Sequence, residues 1–85
     1  MLYLIQFSKP LGNARKQARY YLGYCEDGRL DERLAEHRSG QGAKITAAAV
    51  RIGAELNVVW TGVGDRNDER KLKNRRHHHR LLESN

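Results

Sequence analysis

Two runs of strand-forming residues, LYLIQF at 2–7 and ARYYLGY at 18–24, stand on either side of SKPLGNARKQ, which holds the only proline together with a glycine and an asparagine. β-Branched and aromatic side chains favour extended backbone, and Pro, Gly and Asn favour turns. The pattern predicts two antiparallel strands joined by a hairpin with a basic tip. That hairpin constrains everything after it, because 85 residues of which 39% are hydrophobic can build only one modest core.

Beyond EDG, the segment RLDERLAEHR places Leu30 and Leu34 one turn apart with charges on the other faces, an amphipathic helix that SGQG ends. AKITAAAVRIG sets Ile45, Ala48, Ala49 and Ile52 at helical spacing, with Gly53 as a stop. ELNVVWTG alternates Leu56, Val58 and Trp60 against Asn57, Val59 and Thr61, a strand with one face in the core and Trp60 in that core. Asp65 can cap a last helix, RNDERKLKNRR, with Asp68 and Glu69 in its first turn. The expected fold is α+β, a three-stranded antiparallel sheet flanked by helices in the order β-β-α-α-β-α. One domain over 1–76 is expected, with a basic tail over 77–85.

The formal net charge is +6 and the isoelectric point about 9.9, which favours an anionic partner, nucleic acid before a membrane surface. The charge sits at the ends. Residues 1–20 carry four bases and no acid, 21–64 five bases against six acids, and 65–85 seven bases against four acids. Cys25 is the only cysteine, so no internal disulfide forms and a reducing cytoplasm is the expected location. MLYLIQF is too short and too alternating for a signal peptide, and no apolar run approaches the roughly 20 residues of a membrane span.

Arg33 and His37 are four residues apart on the first helix, so they share a face and can address one group. With MLY on the first strand, YLG on the second, the Arg33-x-x-x-His37 pair and Glu69 on the last helix, residues 1–74 resemble the GIY-YIG endonuclease family. HRSGQGAKIT is similar to the corresponding segment of its small single-domain members, those related to the nuclease domain of the bacterial excision-repair system. The resemblance implies metal-assisted hydrolysis of DNA phosphodiesters and the same sheet-and-helix fold. Its implied catalytic set is Tyr3, Tyr21, Arg33, His37 and Glu69, with Gly23 as the motif glycine and Glu69 holding one Mg²⁺ or Mn²⁺ ion. DNA is the implied partner, and the oligomeric state carries no sequence signature.

These residue types suit the reaction. In-line attack needs an activated water and charge neutralisation at the phosphate. A planar guanidinium can grip two phosphate oxygens at once, which is the role implied for Arg33, and a tyrosine beside His37 can take the proton of the attacking water. Tyr3 is slightly favoured over Tyr21 for that step. Lys9, Arg15, Lys16 and Arg19 on the hairpin, and Lys44 and Thr46 after the first helix, are candidate DNA contacts. The chain departs from the family in lacking the Gly-Ile before Tyr3, and its late asparagine, Asn74, follows Glu69 by five residues where the family has a dozen or more.

His77, His78 and His79 are consecutive, so they point in different directions and do not read as a chelating set. Tyr20 and Tyr24 flank the second motif, where aromatic side chains can stack on bases. A chain this short holds no separate recognition domain, so the expected cleavage is directed by DNA shape or structure. The competing reading is a nucleic-acid-binding module on the same fold without useful chemistry.

Overall fold

The computed structural model describes residues 1–12 and 17–73. Arg15, Lys16, Asn74, the histidines at 77–79 and the tail over 77–85 lie outside the described residues. The elements are β1 (Leu2–Gly12), β2 (Gln17–Tyr24), α1 (Leu30–Arg38), α2 (Lys44–Arg51), β3 (Leu56–Gly62) and α3 (Arg66–Lys73). Their order matches the sequence reading, and the strands form one antiparallel sheet in the order β2-β1-β3.

Two irregularities separate the sheet from its sequence pattern. β1 continues through SKPLG to Gly12, beyond the predicted end at 7. Gln6 faces Tyr20 and Leu11 faces Ala18, so residues 7–10 of β1 oppose Arg19 alone. Pro10, which has no N–H to offer a ladder, falls inside that bulge. On the other side Leu4 faces Trp60 and Ile5 faces Val58, which leaves Val59 as an extra residue of β3. The insertion reverses the alternation, so Leu56 and Val58 share a face with Phe7 and Ile5 while Trp60 turns to the face of Leu4. Trp60 is half-buried there, over Gly62, instead of in the predicted core.

β1 is buried on both faces. Tyr3, Ile5 and Phe7 join Cys25, Ala49, Ala54 and Leu56 in the main core, against Leu30 and Leu34 of α1 and Ile45 and Val50 of α2. Leu2, Leu4 and Leu22 are buried on the opposite face. α2 is rotated relative to the predicted apolar stripe: Thr46 and Ala49 are fully buried and Ile52 is 46% exposed. α3 begins with the predicted cap, in which Asp65 Oδ1 accepts the Asn67 and Asp68 amides at 2.9 and 3.0 Å and Asp68 Oδ2 accepts the Asp65 amide. Those amides hold the Asp65 carboxyl below its ordinary range. Among the described elements, α3 packs chiefly on β2. No helix among the described residues is long and apolar enough to cross a membrane.

Candidate active site

The central strand carries Tyr3 into the main core, where its hydroxyl lies 2.7 Å from His37 Nε2. α1 brings His37 there because the helix is pinned at both ends. Leu30 and Leu34 pack on the core, and Arg38 donates to the Leu56 carbonyl at 2.9 Å. Tyr21, half-buried on β2, closes the cluster, its ring centroid 5.3 Å from that of His37 and 6.4 Å from that of Tyr3. Arg33, one turn before His37, hydrogen-bonds at 2.7 Å to Glu36 and lies near enough to Tyr3 to act on its charge. Four of the five predicted catalytic residues thus come from three elements to one place.

Two glycines make the room. A Cβ at Gly23 would overlap the Tyr3 phenol, and one at Gly42 would overlap the His37 imidazole. The motif glycine therefore seats the first motif's tyrosine. Gly42 was legible only as part of a helix stop.

Burial governs the electrostatics. His37 is fully buried, and desolvation, aided by the Arg33 cation, lowers its pKa to about 4. Desolvation pushes Tyr3 up to about 12, against the opposing influence of the Arg33 cation. At neutral pH the phenol keeps its proton and the imidazole is uncharged. The expectation that Arg33 and His37 address one substrate group is corrected accordingly: His37 is turned inward onto Tyr3, and only Arg33, with its side chain 34% exposed, reaches solvent.

Arg33 opens onto a cleft lined also by Tyr24, Arg29, Glu36 and Arg66. Arg66 stands 5.7 Å over the Tyr24 ring and makes no ion pair among the described residues. Nothing in the sequence marked it, whereas the i,i+3 spacing of Arg33 and Glu36 is an ordinary signal for a helix ion pair. Glu69 is half-buried on α3, three residues beyond Arg66. Among the described residues no three potential ligands gather into a metal site. A single carboxylate still suits Mg²⁺ or Mn²⁺, which keep waters and take substrate phosphate oxygens as ligands.

The candidate DNA contacts divide. Lys44 is exposed at the start of α2, and Lys9 and Arg19 are exposed on the hairpin. Lys9 is six residues from Tyr3 along β1, about 20 Å away at strand rise, with its ammonium beside Gly53. Thr46 is corrected: it is fully buried, its hydroxyl 2.8 Å from His37 Nδ1 and 2.9 Å from the Ala43 carbonyl, and it cannot face a phosphate.

No protein-family model matches the chain, and comparison with curated proteins and with solved structures returns no match.

Proposed function

We propose that this protein is a metal-dependent DNA endonuclease of the GIY-YIG type. The observation that carries the reading is the convergence of Tyr3, Tyr21, Arg33 and His37 around a glycine that admits the Tyr3 ring. Arg33 holds a phosphate at the cleft and exchanges its Glu36 partner for that anion. Tyr3 is 1% exposed, so this reading requires water to enter beside Arg33 once Glu36 is displaced. As that oxygen accepts the water's proton, the phenol passes its own proton to His37 Nε2, already 2.7 Å away. The negative charge of a bound phosphate raises the basicity of His37 at the moment it is needed. Glu69 would hold the metal ion, whose chemistry is neutralisation of charge developing on the phosphate. Arg66 and the hairpin cations would hold the flanking strand.

A binding module without chemistry is the second reading. It is favoured by one observation: with Tyr3 near 12 and His37 near 4, the resting cluster holds no ready base at neutral pH. Incubation of supercoiled plasmid with Mg²⁺ or Mn²⁺, with and without chelator, separates the two. The nuclease reading expects chelator-sensitive nicking that is lost in Glu69→Gln, while that variant still binds DNA. Binding without nicking under every metal supports the module, and undiminished nicking by Glu69→Gln removes Glu69 from the metal site.

A further inference from the structure

The buried polar side chains behind the cleft form one line. Tyr3 meets His37 Nε2, His37 Nδ1 meets Thr46 Oγ1, and Thr46 meets the Ala43 carbonyl. The far end is chemically one-way, because a carbonyl can only accept. Each of the three side chains has one hydrogen to give, so all three bonds are made at once only if they run from Tyr3 toward Ala43. In that arrangement Thr46 gives its hydrogen to Ala43 and accepts from Nδ1–H, and Nε2 is bare toward the Tyr3 hydroxyl. In the reverse arrangement Thr46 would donate to Nδ1 and Nε2–H to the Tyr3 oxygen. The Thr46–Ala43 bond would then be lost, and the phenol hydrogen of a residue only 1% exposed would have no acceptor in this line.

We propose that Thr46 is a positioning residue that fixes His37 as its Nδ1–H tautomer and so reserves Nε2 as the acceptor of the Tyr3 proton. Its value to catalysis rests on the nuclease reading. The tautomer itself does not, since it follows from hydrogen-bond direction alone. Thr46 also connects two elements by this contact: the start of α2 sets the ring state of a side chain on α1.

Nitrogen-15 NMR of the histidine ring, assigned through a His37→Gln variant, tests the idea without any cleavage assay. The parent protein and Thr46→Ser should both show protonated Nδ1 and bare Nε2 for His37. Thr46→Val, which keeps the shape and removes the acceptor, should lose much of the Nδ1–H population to the Nε2–H form. In the nuclease reading its cutting rate should fall tenfold or more with DNA affinity changed less than twofold, and Thr46→Ser should restore the rate. An Nε2–H tautomer in the parent, or an unaltered Nδ1–H ring in Thr46→Val, overturns the proposal. If the tautomers behave as stated but the parent cuts no DNA, the positioning of the ring stands and the nuclease reading falls.

Discussion

His37 ties the site's chemistry to the stability of the fold. In the unfolded chain its imidazole takes up a proton near pH 6.5, whereas in the folded protein it resists protonation down to about 4. Between those values the unfolded state binds the extra proton. Stability present above about 6.5 is therefore lost as the pH falls toward 4. Urea midpoints at pH 7 and pH 5 should differ by an amount equivalent to about 2 kcal/mol, and His37→Gln should be less stable but show a flatter dependence. The Arg33–Glu36 pair allows a second expectation at this scale. In the nuclease reading half-exposed Glu36, paired with Arg33, would compete with phosphate for the guanidinium, and an exposed pair of this kind contributes up to about 1 kcal/mol. Glu36→Gln should then tighten DNA binding by roughly fivefold, and weaker or equal binding would show that Arg33 does not hold phosphate. The placing of Arg33 and His37 one turn apart on a single helix was legible in the sequence, whereas the inward turn of His37 onto Tyr3 was not. Nor was the role of Thr46, because a threonine near a helix start looks the same whether its partner is water or a buried imidazole nine residues earlier in the chain.

At the scale of elements, the sheet was legible except where one strand outgrew its partner. Strand-forming composition and turn residues located β1, β2 and β3, but Val59 is an ordinary β-former, and its exclusion from pairing depends on how β3 meets β1 in three dimensions. The same holds for Trp60, whose predicted core position required an uninterrupted alternation. α2 was legible as a helix, yet its inward face carries Thr46, whose hydroxyl meets His37, beside Ala49. The hairpin supplies the prediction for this scale. Lys9 and Arg19 are exposed on β1 and β2, well away from Tyr3. If a duplex runs along the hairpin, replacing both by glutamine should flatten the slope of log affinity against log salt by roughly two units. An unchanged slope would turn that surface away from the nucleic acid.

In the whole molecule, the parts of the site rest on unequal foundations. Tyr3 belongs to a strand buried on both faces, so its backbone cannot move without breaking the core. Amides of residues 2–7 should accordingly exchange with solvent only through global unfolding, the slowest class in a hydrogen-exchange experiment, whereas those of α3 should exchange through local opening. Fast exchange in β1 would contradict this division. Glu69, in contrast, rides on α3, whose extensive packing among the described elements is with β2, assisted by Arg66 over Tyr24. In the nuclease reading, a protein arranged this way should have two melting points, one for its shape and a lower one for its work. On gentle warming the far-ultraviolet signal of the sheet should persist after metal-dependent cutting has ceased, and cooling should bring the cutting back.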